Sequence, residues 1–196
     1  MSIMFLPYDR VKATTLVAPR EVREDLLMET RILRMVRKTY EGGMERIFLA
    51  HPGAVTVIAT TREKKLLLIK QFRAPAGEWL WEIPAGTLEP REPILKCAQR
   101  ELEEETGFSS QEWKYLFPVF LAPGYSSEII HFFRAYNAVP VEKAPPGDED
   151  EMIYYLEVDR KEAWNMVSRG EIKDAKTLLG IHIFVEENHE DLYRPS

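Results

Sequence analysis

The chain has 196 residues, 45% of them hydrophobic and 30% charged, which fits one globular domain with a small additional unit. Its single cysteine, Cys97, excludes an internal disulfide framework and a cysteine-rich zinc site. The 26 basic and 32 acidic residues give a net charge of −6, which argues against nucleic-acid binding and against attraction to an anionic membrane. No apolar run approaches the ~20 residues that cross a bilayer, and no signal-peptide pattern opens the chain, so the sequence predicts a cytoplasmic protein.

The first predicted element is a β-hairpin over residues 31–50. Its two strands flank Gly42 and Gly43, which adopt positive φ in a tight turn without steric cost. The residues before about position 25 give only a weak pattern. Because a two-stranded hairpin is marginally stable alone, we expect residues 1–50 to form a small β-strand unit that packs on something else, with another subunit as one option.

Residues 51–196 are expected to form the main domain, in which strands precede and follow a helix. The unbroken apolar run Leu66–Ile69 predicts a strand that is covered on both faces. A helix is predicted over residues 93–106, with Pro93 in its first turn and Gly107 just past its end. Further strands are predicted at 54–60, 79–84, 113–121, 128–136 and 152–158.

Two helices are predicted at the end of the chain. Asp159 and Glu162 have the spacing of a capping box, and the last helix runs roughly from Asp174 to Glu187. The expected apolar side of this last helix carries Leu178, Leu179, His182, Ile183 and Val185. The order of strands, helix, strands and two helices predicts an α+β fold with a mixed sheet between helices, and not a repeated βαβ array.

The helix over residues 93–106 has an acidic face. At about 100° per residue, Glu101, Glu104 and Glu105 lie within about 100° of arc, whereas Glu103 points nearly the opposite way. The face expected to dock on the core carries Leu95, Ala98 and Leu102.

Two interpretations of this acidic face remain open from the physics alone. Glutamates are good helix formers and are typical of a solvated surface. However, like charges at these spacings repel by a few tenths of a kcal/mol per pair, and they lie at the negative end of the helix dipole. A bound divalent cation would reverse the sign of both effects, and carboxylates without histidine or cysteine favour magnesium (Mg²⁺) or Mn²⁺.

The segment 86–108 resembles the full signature of the Nudix hydrolases. The matching positions are Gly86, Glu92, Arg100-Glu101-Leu102, Glu104-Glu105 and Gly107-Phe108. The resemblance implies an α/β/α sandwich and hydrolysis of a nucleoside diphosphate linked to another group. It further implies that Mg²⁺, or Mn²⁺ in its place, is held by Glu101, Glu104, Glu105 and the Ala85 carbonyl. The pair Glu92–Arg100 is implied to fix the loop on the helix without touching substrate.

Residues outside this signature extend the resemblance to roughly positions 50–190. Pro123, 16 residues after Gly107, resembles the marker of the ADP-ribose pyrophosphatase subfamily. The implied reaction is hydrolysis of ADP-ribose to AMP and ribose 5-phosphate. Enzymes that hydrolyse GDP-mannose or other nucleotide sugars look similar and are the first alternative, and a non-catalytic Nudix sensor that binds ADP-ribose is the second.

Three side chains are candidates for binding the substrate. Arg73 ends the central strand, where a guanidinium can clamp a diphosphate through two hydrogen bonds; the alternative is a surface arginine at a strand end. Glu82 resembles the subfamily's acid near the substrate ribose, and Glu128 resembles a carboxylate on the substrate side. For both glutamates an ordinary surface or edge position is an equally good interpretation.

The tract Asp148–Glu151 follows Pro145-Pro146-Gly147 and directly precedes a predicted strand. It resembles the loop that carries a catalytic glutamate in ADP-ribose pyrophosphatases, and the pattern favours Glu149. Glu151 is the second choice and a possible additional metal ligand. The alternative is an acidic surface loop.

The resemblance also implies an assembly. The subfamily forms homodimers with exchanged N-terminal strands, and aromatic residues of that unit can stack on the substrate base. No tryptophan precedes Trp79, so Tyr40 and Phe48 are the candidates, although most strand aromatics simply pack in cores.

Overall fold

The computed structural model describes residues 17–30, 33–142 and 153–187. Within them, none of the helices is both long and apolar enough to cross a lipid bilayer. The described elements, in chain order, are β1 (Glu21–Glu29), β2 (Arg34–Tyr40), β3 (Glu45–Ala50), β4 (Ala54–Thr61), β5 (Leu66–Arg73), β6 (Glu78–Glu82), β7 (Ala85–Thr87), α1 (Ile94–Thr106), β8 (Phe108–Ser109), β9 (Glu112–Phe120), β10 (Ile129–Pro140), β11 (Tyr154–Val158), α2 (Arg160–Ser168) and α3 (Ala175–Glu186).

The N-terminal strands form a three-stranded antiparallel sheet in the order β1-β2-β3. The predicted hairpin is confirmed as β2 and β3, and its turn holds Gly42 at φ +84° and Gly43 at φ +80°. The strand β1 was not predicted. Its side chains are almost all exposed, and without a buried face its sequence lacks the apolar–polar alternation that marks a strand.

This small sheet is joined to the main domain at the end of β3. The Leu49 N–H donates to the Tyr125 carbonyl at 2.9 Å, and the Ser127 N–H donates to the Leu49 carbonyl at 2.9 Å. The His51 N–H also donates to Ser127 Oγ at 3.0 Å. The last strand of the N-terminal unit therefore holds the loop that precedes β10. The division at residue 50 stays a prediction.

The main sheet is mixed, as predicted. Its central path is β11-β5-β4-β10-β8, in which β10 runs parallel to β4 and the other pairs are antiparallel. The strands β6, β7 and β9 pair with β5, β4 and β10 respectively. Every residue of β4 and the run Leu66–Ile69 is buried, as expected for strands covered on both faces.

Helices cover the two faces of this sheet. Leu67 packs in one apolar cluster with Cys97, Ala98 and Leu102 of α1. The opposite cluster contains Leu66 and Leu68 of β5 together with Ala163 and Met166 of α2 and Ile181 and Phe184 of α3. Because successive strand side chains alternate between faces, β5 feeds both cores, and the α/β/α sandwich is confirmed. The architecture is α+β.

The helix ends largely follow the predicted capping residues. Gly107 ends α1 at φ +70°, and its N–H donates to the Glu103 carbonyl at 2.9 Å. Pro93 is the residue before the helix, with ψ 135°, and not part of its first turn as predicted. The Asp159 carboxylate accepts from the Glu162 N–H at 2.8 Å and so caps α2.

Two predicted helix faces need correction. Leu95 is exposed and Cys97 is buried in its place on the inner face of α1. In α3, Leu179 and His182 are exposed, and the buried face runs through Gly180, Ile181 and Phe184. The sequence of α3 is apolar around almost its whole circumference, so periodicity alone did not identify the buried face, which is the one that carries Gly180. A Cβ there would lie 2.7 Å from Ile83 Cδ1, so this glycine lets α3 approach the sheet closely.

The C-terminal end of α3 is anchored by a buried arginine. Arg134 is 2% exposed, and its guanidinium contacts Glu187 at 2.6 Å and 2.9 Å, while the Tyr136 hydroxyl donates to Glu187 at 2.8 Å. Burial disfavours the charged form of Glu187, but the bonds from Arg134 outweigh it and lower the pKa of Glu187. This anchor fixes the axis of α3, whose first turn reaches the candidate site.

Candidate active site

The candidate site is built around residues 82–86, which lead from β6 into β7. Ile83 donates its N–H to Thr177 Oγ1 of α3 at 2.9 Å. The Pro84 carbonyl accepts from Thr56 Oγ1 at 3.0 Å and from the Val57 N–H at 2.8 Å. This segment is therefore bound by a helix on one side and by the central strand on the other.

The same segment contacts the acidic face of α1. The Ala85 N–H donates to Glu105 Oε2 at 2.8 Å. At the next position, a Cβ on Gly86 would lie 1.9 Å from Glu101 Cδ, so the Glu101 carboxylate occupies the space that any other residue would fill. Glycine is required at position 86 for this close approach, and not for an unusual φ angle.

Glu101 is the most buried of the three predicted metal ligands, with only 9% of its surface exposed. Burial raises the pKa of Glu101 to about 7, although the positive charge of Arg100 opposes this shift. A buried carboxylate with this pKa is incompletely neutralised by its protein neighbours. A cation at this position would stabilise its charged form.

Arg100 connects the acidic face to the loop before α1. Its Nε and Nη2 each lie 3.0 Å from an oxygen of Glu92, which confirms the predicted pair. Its Nη1 contacts Glu101 Oε1 at 2.7 Å and Glu104 Oε2 at 2.9 Å. The bonds from Arg100 lower the pKa of Glu92 to about 2. One guanidinium thus draws carboxylate oxygens of Glu101 and Glu104 together.

The donor chemistry of this site fits a hard cation. Three carboxylates and a backbone carbonyl offer only oxygen ligands, the set that Mg²⁺ and Mn²⁺ prefer. Among the described residues, no three His, Cys, Asp or Glu side chains already surround a common point at metal-binding distances. In this arrangement Arg100 and the Ala85 N–H hold oxygens of Glu101, Glu104 and Glu105.

Two residues predicted to bind substrate contact each other. Arg73 Nε and Nη2 donate to the two oxygens of Glu82, each at 2.7 Å, in a parallel bidentate pair. Glu82 is 1% exposed, whereas the Arg73 side chain is 39% exposed. Burial opposes ionisation of Glu82, but bonds and charges from Arg73 and Lys176 outweigh it and lower the pKa of Glu82. The guanidinium is therefore held in a fixed plane and remains accessible.

The sequence interpretation missed the part of the site supplied by α3. Lys176 contacts Glu82 Oε2 directly and lies 3.1 Å from Asp174 Oδ2. Asp174 also caps the helix by accepting from the Thr177 N–H at 2.9 Å. The sequence carries only a weak signal of this arrangement: a lysine in the first helical turn lies at the positive end of the helix dipole, where a nearby carboxylate offsets the unfavourable charge.

Glu128 is in the loop bound by the N-terminal sheet. Its Oε1 lies 4.0 Å from His51 Nδ1. Two residues later, Ile130 pairs with Ala54, which in turn pairs with Thr87. The loop of Glu128 is therefore at the same end of the sheet as the 82–86 segment. Within the residues the structure describes, no hydrogen bond or ion pair joins Glu128 to Arg73.

Glu149 and Glu151 lie outside the described residues. The chain is described again from Ile153, and Tyr154 pairs with Lys70, three residues before Arg73. The acidic tract is therefore connected directly to a strand that lies beside β5.

The fold and the site define a sandwich domain in which a carboxylate-bearing helix is packed against the end of a mixed sheet. The chain matches the NUDIX domain family over residues 50–181. It is 40% identical over 137 residues to an ADP-ribose pyrophosphatase of Bacillus subtilis (strain 168), a match that covers 70% of this chain and 74% of the relative. The chain belongs to the Nudix family of hydrolases, which act on pyrophosphate bonds and generally need divalent metal ions.

Two further comparisons agree with this assignment. The chain is 34% identical over 166 residues to a GDP-mannose pyrophosphatase of Escherichia coli (strain K12), covering 81% of both chains. A solved structure described as an ADP compounds hydrolase has the same fold, with a TM-score of 0.73, 20% sequence identity, and coverage of 93% of this chain and 100% of that one.

The contact between Gly86 and Glu101 gives a direct prediction. Substituting Gly86→Ala places a methyl group where the Glu101 carboxylate lies, so this carboxylate must move by an ångström or more. We expect kcat to fall by about 10²-fold, the usual effect of such a misplacement, while circular dichroism shows an intact fold. Gly124→Ala is the control because no heavy atom lies within 4 Å of its added Cβ. Wild-type turnover by the Gly86→Ala enzyme would disprove the steric argument.

Proposed function

We propose that this protein hydrolyses ADP-ribose to AMP and ribose 5-phosphate. The observation that carries the proposal is the placement of two different groups on one short segment. Residues 82–86 hold the Arg73–Glu82 pair at one end and contact the carboxylates of Glu101 and Glu105 at the other. A diphosphate bound between them would meet a guanidinium and a carboxylate-held cation together.

The proposed ligands of the cation are Glu101, Glu104, Glu105 and the Ala85 carbonyl, and the proposed ion is Mg²⁺, with Mn²⁺ as a substitute. When bound, the ion supplies charge stabilisation and lowers the pKa of coordinated water. The residues themselves contribute the shape of the site: Gly86 makes room for Glu101, and the Ala85 N–H orients Glu105.

Arg73 is proposed to bind the diphosphate, and Glu82 to hold Arg73 while remaining close to the substrate ribose. The partial exposure of the guanidinium supports this role. Its bidentate bond to Glu82 fixes one edge of the guanidinium and so orients the remaining N–H groups. Glu128 is proposed as a further contact on the substrate side, because its loop lies at the same end of the sheet.

The attacking water is proposed to be oriented or deprotonated by Glu149, with Glu151 as the second candidate and a possible metal ligand. The support is the connection of their tract to β11, which pairs with β5 near Arg73. Carboxylates are common general bases in such hydrolyses.

The main alternative is hydrolysis of GDP-mannose or another nucleotide sugar. The relative named GDP-mannose pyrophosphatase aligns over 166 residues, a longer stretch than the 137 residues shared with the ADP-ribose pyrophosphatase. A non-catalytic sensor is disfavoured because the full carboxylate set is present.

The two enzymatic functions are separated by comparing kcat/KM for ADP-ribose and GDP-mannose, with an added phosphatase to release phosphate from the products. A higher kcat/KM for GDP-mannose would overturn the choice of substrate.

The proposed location is the cytoplasm, where nucleotide substrates are available and a lone buried thiol such as Cys97 remains reduced.

The metal assignment predicts a difference between two neighbouring glutamates. Activity is expected to disappear with EDTA and to return with Mg²⁺ or Mn²⁺. Glu105→Gln removes a proposed ligand and is expected to lower kcat by roughly 10²-fold or more. Glu103→Gln is the matched control because its side chain lies off the acidic face, and its loss should be small. Equal losses in the two variants, measured with the phosphate-release assay, would contradict the assignment.

The proposed base predicts an effect on kcat alone. Glu149→Gln keeps the shape of the side chain but cannot accept a proton, so kcat should fall by about 10²–10⁴-fold while the Kd for substrate changes little. Glu151→Gln serves as the comparison: a larger loss there, together with weaker metal binding, would make Glu151 a ligand. If Glu149→Gln retains near-full kcat at saturating Mg²⁺ and ADP-ribose, the base lies elsewhere.

We also propose a homodimer in which N-terminal strands are exchanged. The support is apolar exposure on the small sheet: Leu26, Met28 and Ile47 are each about half exposed. Deleting residues 1–50 should therefore give a monomer or aggregate with weaker substrate binding. Light scattering measures the assembly, and a fully active monomer of the full chain would refute the proposal.

A further inference from the structure

Lys176 is a nearly buried cation whose position has no obvious structural benefit. Its side chain is 8% exposed, in the first turn of α3, where the helix dipole disfavours positive charge. Lysine is rarely buried unless a carboxylate partners it. Here the partners are Glu82, which Lys176 contacts directly, and Asp174 at 3.1 Å.

Glu82 is shared between two cations. Arg73 bonds to both of its oxygens, and Lys176 bonds to Oε2 as well. With Asp174 included, the cluster contains two positive and two negative side chains and is neutral overall. If Lys176 were absent, Glu82 and Asp174 would outweigh Arg73, and the cluster would carry a net negative charge beside the place where a diphosphate is proposed to bind.

We propose that Lys176 is a positioning residue that balances the charges of Glu82 and Asp174, so that the Arg73 guanidinium is held in place through Glu82 and still attracts the diphosphate of the substrate. The inference rests on the proposed function, because it assumes that Arg73 binds a diphosphate. Lys176 acts through Glu82 in this proposal, since its side chain is only 8% exposed and contacts Glu82 directly.

The surrounding contacts explain how a helix so distant in sequence can orient Arg73. Thr177, next to Lys176, accepts from the Ile83 N–H at 2.9 Å and donates its hydroxyl to Asp174 at 2.6 Å. The first turn of α3 therefore binds the backbone of Ile83 through Thr177 and the side chain of Glu82 through Lys176. At the other end, Arg134 anchors the helix through Glu187. A bidentate bond then transmits this fixed position from Glu82 to the plane of the guanidinium.

Two substitutions that change the net charge of the cluster in opposite directions test the inference. Lys176→Met makes the cluster negative, so KM for ADP-ribose should rise about tenfold. The kcat should change less than threefold, because the enzyme's binding of the substrate and its binding of the transition state are weakened equally. Asp174→Asn makes the cluster positive and keeps an oxygen that caps α3, so KM should fall below the wild-type value. A purely structural role would raise KM in both variants or change it in neither.

Lys173→Met is the matched control. It removes the same charge three residues earlier, from a lysine that is 55% exposed and paired with Glu78 at the surface. Its KM should stay within twofold of wild type, at physiological salt.

The outcomes separate this inference from the proposed function. Suppose that the wild-type enzyme hydrolyses ADP-ribose. An unchanged KM in the Lys176→Met enzyme, or a raised KM in the Asp174→Asn enzyme, then overturns the positioning role alone. If Lys176→Met does not fold, Asp174→Asn decides, because only a lowered KM supports the inference. If the wild-type enzyme does not hydrolyse ADP-ribose, GDP-mannose or other nucleoside diphosphate derivatives, both the inference and the proposed function are overturned.

Discussion

The structure depends on the way residues 82–86 are bound by three different elements. Their backbone and side chains are held by α3 through Thr177 and Lys176, by β4 through the Pro84 carbonyl, and by α1 through Glu105. The three elements are distant from one another in sequence. The hydrogen bonds satisfy buried backbone groups that would otherwise cost free energy, and the same bonds bring the Arg73–Glu82 pair to the acidic face of α1.

The second constraint is electrostatic, because the site concentrates carboxylates that repel one another. Arg100 reduces this repulsion by contacting Glu92, Glu101 and Glu104. On the other side of the segment, Lys176 and Arg73 neutralise Glu82. The distribution is uneven: the pKa of Glu82 is lowered, whereas burial raises the pKa of Glu101 to about 7. The remaining demand for positive charge therefore lies on the face of α1, where the cation is proposed to bind.

Local patterns predicted the parts of this protein that local chemistry determines. The acidic helix, its end at Gly107, the hairpin at Gly42 and Gly43 and the doubly covered β5 all follow from spacing and backbone preference. The sequence did not identify β1, which has no buried face, or the buried side of α3, which depends on the missing side chain at Gly180. It also could not pair Arg73 with Glu82, because that contact depends on the register between β5 and β6. Nor could it bring Lys176 to them, because that contact exists only after α3 packs on the sheet.

The acidic face of α1 and the 82–86 segment are together proposed to form a site for a divalent cation beside the diphosphate. Anomalous diffraction from crystals of the full chain grown with Mn²⁺ tests this claim directly, since it locates the ion without assuming its ligands. We expect a strong peak within coordinating distance of Glu101 and Glu105 and of the Ala85 carbonyl, with Glu101 released from Arg100. A peak bound only by other residues, or none at saturating Mn²⁺, would contradict the account.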